Sequence, residues 1–403
     1  MKPITELKPA RIVEVHREDI GLHGWVVLDV REHGFACGGV RMRAEVTPDE
    51  IANLAREMSL KYRFLHIRKD GAKSGIVAPI DAPPARKAEL CRAFGEQIRE
   101  LIRSGTYTPG EDMGVGHAEL DQLMLGAGFP PQPKQTPAEF YTALTAVICF
   151  EQFCQWQKLP MNRQRIAIEG YGKVGSCAGK LLAADSAKVV GISTALGAIY
   201  LPAGLDLTLI ESLRAQHGDA LVEHYPGAER LPREALALQP CDFFFPGAQP
   251  DSIHPGNVDQ IQARALISIA NIAADETAEA ALARRGIAYF PGFVANCGGI
   301  LSYYLREQDF AVNELEAFIR EGFAAKIEHL LARAGQPGAV AATARAMAAE
   351  ARIALAQGQS SLSKLLDPRR YLWLLYRKSH KLGLRNVMFP FACRYMRRQL
   401  FQA

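Results

Sequence analysis

The sequence predicts an α/β protein of two or three domains, one of them built on a doubly wound parallel sheet. Its 403 residues are enough for more than one core. A glycine fingerprint at residues 170–175 sits between a strand-like and a helix-like stretch. Further strand-like runs at residues 187–193, 242–245, 266–270 and 288–290 follow it, spaced by helical segments.

The fingerprint is the clearest local signal. Residues 165–169 (Arg-Ile-Ala-Ile-Glu) read as a strand, Gly170-Tyr171-Gly172-Lys173-Val174-Gly175 follows, and a helical stretch runs to about Ala184. The first glycine permits a tight turn, the second lets the backbone approach a pyrophosphate, and the third lets helix and strand pack closely. The helix N-terminus offers free N–H groups and a positive dipole end to the phosphates. An NAD-specific site would end the next strand on Asp or Glu to grip the ribose hydroxyls, yet Thr194 stands there. No carboxylate is present to repel a 2′-phosphate, and no obvious arginine follows to bind one. NAD and NADP both stay open.

Upstream, residues 12–28 contain strand-like stretches. Thr47-Pro48-Asp49-Glu50 is a capping box with proline at the first helical position. The helix it opens places Leu54, Met58 and Leu65 on one face, and Lys61 falls on that same face. A lone lysine there is usually a snorkelling side chain with a buried stem; the alternative is a cation aimed at an anion. Gly71-Ala72-Lys73-Ser74-Gly75 reads as a short turn before a strand that starts at Ile76-Val77. Residues 87–103 read as a helix, and residues 107–114 as a turn-rich loop that carries Asp112. A second Thr-Pro-x-Glu box at residues 136–139 opens a long apolar helix to about Lys158, which reads as a bridge between domains.

Bulk properties narrow the class. Hydrophobic residues make up 48% and charged residues 22%, ordinary values for a soluble globular protein. No apolar run is long enough to span a bilayer, and the first residues lack the apolar core of a secretory signal. Eight cysteines are scattered without a CxxC pair or a Cys/His cluster. That pattern argues against structural zinc and for a reduced, cytoplasmic protein. The net charge of +4 hides an asymmetry: residues 368–403 hold nine Lys/Arg and no Asp/Glu, leaving 38 basic against 43 acidic residues in the rest.

Taken in order, Gly38-Gly39-Val40-Arg41, Lys61, the Gly71–Gly75 run, Pro109-Gly110-Glu111-Asp112-Met113-Gly114, the fingerprint and Asn296-Cys297-Gly298-Gly299 resemble the glutamate/leucine/phenylalanine/valine dehydrogenase family. The resemblance covers roughly residues 34–305. It implies an N-terminal α/β substrate and oligomerisation domain (residues 1–140) and a Rossmann-like NAD(P)-binding domain (141–300), with a cleft between them. C-terminal helices (301–403) would pack back on the first domain. It implies that Lys61 binds the substrate α-carboxylate beside Gly38 and Gly39. Lys73 would be the catalytic lysine, its pKa lowered by burial and neighbouring positive charge, and Asp112 would exchange protons with the amino group. Asn271 would lie near the nicotinamide ribose, Asn296 would contact the cofactor, and Thr194 stands where the adenosine ribose would be gripped. The implied reaction is the reversible oxidative deamination of an L-amino acid to a 2-oxo acid and ammonia, in a homo-oligomer.

Departures from the family pattern are informative. Glutamate-type members carry lysine before the Gly-Gly pair, where it meets the substrate side-chain carboxylate; here that residue is Cys37. Cysteine cannot neutralise a buried carboxylate, and an unpaired buried charge is costly. An apolar or aromatic substrate is therefore expected. The alternatives are a glutamate dehydrogenase with a rebuilt side-chain site, or a catalytically weak homologue acting as a sensor or assembly subunit. Arg68-Lys69-Asp70-Gly71 replaces a glycine-rich loop, Gly292 stands where aspartate is common, and Thr136-Pro137-Ala138-Glu139 replaces a glycine-containing run. The basic, aromatic tail at residues 368–403 reads as helices burying their aromatics on the first domain or a neighbouring subunit. A lipid or nucleic-acid surface is the other reading.

Overall fold

The computed structural model describes residues 8–131, 136–248, 250, 252–357, 368–379 and 385–401. Two units divide the chain: Met1–Gln135 with Ala348–Ser360, and Thr136–Met347 with Ser361–Ala403.

The first unit is built on five strands: β1 (Arg11–Arg17), β2 (Leu22–Leu28), β3 (Ala36–Arg43), β4 (Asp70–Val77) and β5 (Tyr107–Gly110). Their order is β1-β2-β4-β3-β5; β4 runs antiparallel to β2 and parallel to β3, and β3 is parallel to β5. Helix α1 (Pro48–Phe64) covers one face. Helices α2 (Pro84–Gln97), α3 (Arg99–Arg103) and α4 (His117–Gly126) complete the unit, with α2 and α4 on the other face. There Leu90, Phe94, Leu123 and Met124 pack on Val26, Val40, Met42 and Ile76. Residues 87–103 are not one helix: the chain turns at Ile98, which is 1% exposed and drawn into this core.

The second unit opens with α5 (Ala138–Trp156), then β6 (Arg165–Ile168), α6 (Lys173–Ala184), β7 (Lys188–Thr194), β8 (Gly197–Tyr200), α7 (Leu207–His217), α8 (Leu221–His224) and β9 (Glu229–Leu231). It continues with β10 (Phe243–Phe245), β11 (Ala265–Ile267), α9 (Glu276–Arg284), β12 (Ala288–Phe290), α10 (Gly292–Ala295), α11 (Gly298–Glu307), α12 (Val312–Ala334) and α13 (Val340–Gln357), and ends with α14 (Pro368–Ser379) and α15 (Arg385–Leu400). The last part of α13 groups with the first unit. The sheet order is β12-β11-β10-β6-β7-β8-β9, parallel from β12 to β7 and antiparallel beyond. From β6 the chain first winds outward to β7 and later returns to β10 on the other side. The switch point therefore lies at β6, where dinucleotides bind in such sheets.

Helix α5 was expected to bridge domains but lies inside the second unit. Residues 143–150 are all buried, and Phe150 and Phe153 meet Phe243 edge-on with ring centroids 4.8 and 5.7 Å apart. A helix apolar on every side belongs in an interior. Its Thr136 does not cap it; Thr136 Oγ1 lies 3.1 Å from Ser302 Oγ instead.

The return to the first unit is made by the end of α13, where Arg352 pairs with Glu32. The basic tail does something else. Tyr376 donates to Asp309 O at 3.1 Å, Phe310 meets Tyr376 and Phe389, and Phe401 sits on Phe318. The tail aromatics, expected on the first domain or a neighbouring subunit, pack on α12 and the turn before it. Of the tail, residues 380–384 and 402–403 lie outside the described residues. Among the described residues no helix is long and apolar enough to cross a membrane.

Candidate active site

Strand periodicity gathers the chemistry of the first unit on one face of its central strands. Side chains alternate along a strand, and register sets Cys37 beside Gly71 and Arg41 beside Gly75. Cys37, Gly39 and Arg41 of β3 therefore share a face with Gly71, Lys73 and Gly75 of β4, the face covered by α1. A Cβ at Gly71 would lie 2.2 Å from the Ala55 carbonyl oxygen and 2.3 Å from Ser59 N. The glycines on either side of Lys73 thus let α1 settle on the sheet while Lys73 keeps the room between them. Lys73, expected in a turn, lies within the central strand β4, opposite Val27 of β2. Glycine read as turn chemistry here serves close approach.

The Gly-Gly pair works across strands. A Cβ at Gly38 would sit 1.6 Å from the Ala72 carbonyl oxygen, and one at Gly39 would sit 2.9 Å from Asp112 Cβ. Gly39 therefore lets the Asp112 loop close on β3. That loop is tied by reciprocal backbone bonds between Asp112 and Val115 (3.1 and 3.0 Å), and Met42 N donates to Met113 O at 2.8 Å.

Here Lys73 Nζ lies 2.8 Å from Asp112 Oδ1, and Arg41 Nε donates to Asp112 Oδ2, also at 2.8 Å. Lys73 is 4% exposed. Burial drives its pKa down from the ordinary 10.5 and the Arg41 charge adds to the fall, while Asp112 opposes both. Burial alone would raise the Asp112 carboxyl; Lys73 and Arg41 outweigh it and hold the group well below the usual carboxylate range. The result is a lysine disposed to release its proton beside a carboxylate that stays ionised, which suits base and proton-carrier work. Lys61, 5% exposed, lies in the last turn of α1 on the stripe of Leu54 and Leu65. That stripe adjoins the line Ile51, Ala55 and Ser59, which abuts the β4 glycines. Cys37 is half-buried, with Gly71 and Thr108 as register partners.

The sequence pointed to no site role for Arg41, and for Glu50 only to its place in the capping box. Thr47 Oγ1 accepts from Glu50 N at 3.2 Å, as a cap should. The Glu50 carboxylate, which a complete capping box would turn back on Thr47, instead accepts from Arg41 Nη1 at 2.8 Å. The available signal was a buried-pattern strand that carries an arginine, since a buried arginine needs anions.

A second charged cluster braces the loop before β3. Arg63, fully buried, reaches Asp70 Oδ1 at 2.9 Å and Glu32 Oε2 at 3.1 Å. Asp70 Oδ2 accepts from the amides of Glu32, His33 and Gly34. Glu32, His33 and Asp70 bring ligand-type atoms within 4.8 Å of one another. A dication there would have to displace Arg63 and Arg352 from the two carboxylates, so the cluster reads as an ion-pair brace.

In the second unit the three fingerprint glycines play three parts. Gly170 has φ 79°, a Cβ at Gly172 would meet nothing within 4 Å, and a Cβ at Gly175 would lie 2.1 Å from Gly170 O. Turn, open approach and helix contact are the parts a dinucleotide fingerprint requires. Gly172 is the N-cap of α6 and brings no side chain to its first amides. Tyr171 N donates to Ser193 O at 2.7 Å, fixing the loop to β7; Lys173 is exposed and Val174 half-buried at the start of α6. Thr194 Oγ1 donates to Asp219 O at 2.8 Å and accepts from Leu196 N, so it holds the β7–β8 turn. Asn296 is 5% exposed; its Nδ2 donates to Ala270 O at 2.7 Å, while its buried Oδ1 has no partner among the described residues. An unused buried acceptor beside Asn271 fits a donor from a nicotinamide nucleotide. Gly292, at the position where the family pattern commonly has aspartate, has no room for one: a Cβ there would lie 2.3 Å from Asn271 O. Gly298, whose Cβ would lie 1.8 Å from Tyr141 O, lets α11 press against α5.

Comparison with known proteins agrees with both halves. The Glutamate/Leucine/Phenylalanine/Valine dehydrogenase family matches residues 138–357, and the Glu/Leu/Phe/Val dehydrogenase dimerisation domain matches residues 9–126. An NAD-specific glutamate dehydrogenase A of Halobacterium salinarum is 29% identical over 293 residues, spanning 68% of this chain and 66% of that protein. An NADP-specific glutamate dehydrogenase A1 of the same organism is 26% identical over 313 residues, 71% of this chain and 74% of that one. The hetero-hexameric glutamate dehydrogenase of Thermus thermophilus, in its leucine-bound form, superposes with a TM-score of 0.74 at 23% identity, covering 87% of this chain and 89% of that one. At that identity the likeness speaks for the fold. The chain belongs to the glutamate/leucine/phenylalanine/valine dehydrogenase family, whose members are oxidoreductases acting on the CH–NH2 group of amino acids with NAD or NADP.

Proposed function

We propose that the chain catalyses the reversible oxidative deamination of an L-amino acid with an apolar or aromatic side chain, giving the 2-oxo acid and ammonia. The observation that carries this reading is the Lys73–Asp112 pair at 2.8 Å, on a sheet face where Cys37 stands between uncharged register partners. In this reading NAD or NADP accepts the α-hydride when bound. Lys61 holds the α-carboxylate. Lys73, as the neutral amine, takes a proton from the water that attacks the iminium carbon, and its ammonium form then stabilises the carbinolamine. Asp112 exchanges protons with the amino group. Residues 1–140 are assigned to substrate binding and subunit contact, in line with the dimerisation-domain match at 9–126, and residues 141–300 to the cofactor.

A second reading, a glutamate dehydrogenase with a rebuilt side-chain site, draws support from the names of the curated relatives. A panel of amino acids, and of 2-oxo acids with ammonia, followed by NAD(P)H absorbance separates the two. Leucine, valine or phenylalanine should exceed glutamate in kcat/KM, and Cys37→Lys should move the ratio toward glutamate. Glutamate turning over best in the wild type, with Cys37→Lys without effect, would establish the second reading.

A further inference from the structure

We propose that Arg41 is a positioning residue for this reaction: forked between Asp112 and Glu50, it sets the Asp112 carboxylate so that one oxygen faces Lys73. The inference rests on the assignment of Lys73 and Asp112 above.

Arg41 is 5% exposed, and its guanidinium spends Nε on Asp112 Oδ2 and Nη1 on Glu50 Oε1, each at 2.8 Å. That leaves Asp112 Oδ1 for Lys73. A planar guanidinium fixes the direction of both bonds, which a lysine at the same place could not do. Glu50 is fixed in turn. It lies in the first turn of α1, where the helix dipole favours an anion, and Thr47 accepts from its amide. Helix α1 thus holds Glu50, Glu50 holds Arg41, and Arg41 holds Asp112.

Charge counting gives this chain of contacts its chemical meaning. Arg41, Lys73, Asp112 and Glu50 are neutral in sum while Lys73 is protonated; Arg43, 3.5 Å from Glu50 at the outer end, is matched by Glu45 at 3.6 Å. When Lys73 releases its proton the group becomes a net anion, and Asp112 loses one of its two cations. Arg41 remains on Asp112 through that step. Without it a buried carboxylate would face only a neutral amine, and its field would draw the proton back onto Lys73. Arg41 therefore keeps the neutral amine accessible while acting through Asp112.

The test compares full-length wild type, Arg41→Gln, Arg41→Lys and Lys73→Met with the best amino-acid substrate and saturating cofactor. Arg41→Gln should lower kcat by about ten- to a hundred-fold with KM changed less than about threefold, and should move the acid limb of kcat/KM to higher pH. Arg41→Lys restores the cation without the fork. It should return the limb to its wild-type position and recover only part of kcat. An unmoved limb in Arg41→Gln overturns the proposal, as does a loss of kcat that tracks the thermal midpoint. If Arg41→Gln does not fold, Arg41→Lys decides: full wild-type kcat sinks the idea. Lys73→Met keeps the two questions apart. Undiminished turnover there removes the site assignment itself, whereas a dead Lys73→Met beside an unmoved Arg41→Gln profile removes only the role of Arg41.

Discussion

At the scale of single residues, the pair of groups at 2.8 Å makes quantitative demands. Asp112→Asn keeps the size of the side chain but removes the anion. It should lower kcat by about 10²–10⁴-fold, the usual range for a lost proton-transfer group, as stopped-flow or steady-state assays would show. Because burial and Arg41 lower the Lys73 pKa, wild-type kcat/KM should rise with pH along a limb lying below 10.5. The stability sign for Asp112 runs the other way. Its carboxyl is depressed in the folded protein, so its contribution is fully present above the ordinary 3.8 and fades as pH falls through the folded value. Asp112→Asn should flatten that part of the acid-unfolding curve. The fingerprint offers a cleaner separation of fold from function. Gly172 faces open space, whereas a Cβ at Gly175 would meet Gly170 O at 2.1 Å. Gly172→Ala should weaken NAD(P) binding in calorimetry with the melting temperature nearly unchanged; Gly175→Ala should lower the melting temperature as well.

At the scale of elements, what could be read in advance followed local rules, and what could not depended on neighbours far along the chain. The strand–fingerprint–helix run from β6 to α6 was legible because turn, approach and packing are all encoded within six consecutive residues. Strand β4 was not, because Gly71 and Gly75 carry the signature of a turn until α1 is seen to press on them. Strand β5 hid in Tyr107-Thr108-Pro109-Gly110 for a similar reason: Pro109 sits at an edge, paired on one side only with β3. Asp70 looked like an oddity in the loop before Lys73. In the structure it receives three backbone amides and Arg63, and so braces the segment leading to Cys37, Gly38 and Gly39. Asp70→Asn would leave Arg63 its bonds to Glu32 and Lys69 O but withdraw the charge from three amides, and hydrogen bonds to a charged group are worth about 1.5–3 kcal/mol. The unfolding free energy in urea should therefore fall by that order with the m-value unchanged. A shift within about 0.5 kcal/mol would mean that the brace is not structural.

At the scale of the whole molecule, the asymmetry of charge raised the question of what residues 368–403 are for. Their nine basic residues follow a remainder with more acidic than basic side chains. Contacts in the second unit answer with packing. Phe401, 7% exposed, lies on Gly322, where any Cβ would run into its ring at 2.2 Å, and beside Phe318 at a centroid distance of 5.8 Å. Arg397 pairs with Glu321 and Arg377 with Asp309, so part of the positive charge is matched by acids on and next to α12. Exposed ion pairs of this kind contribute little by themselves; the apolar contact carries the stability. Phe401→Ala should thus cost about 3–5 kcal/mol in chemical denaturation, as for other buried phenylalanines. Arg397→Ala should cost less than about 1 kcal/mol. Deleting residues 368–403 uncovers Phe310, Phe318 and the Gly322 surface together, and a contiguous apolar patch of that kind drives association. The truncated chain should melt earlier and aggregate in light scattering. A truncated chain that stays soluble, keeps its melting temperature and loses binding to anionic vesicles or RNA would show instead that the tail is a docking surface.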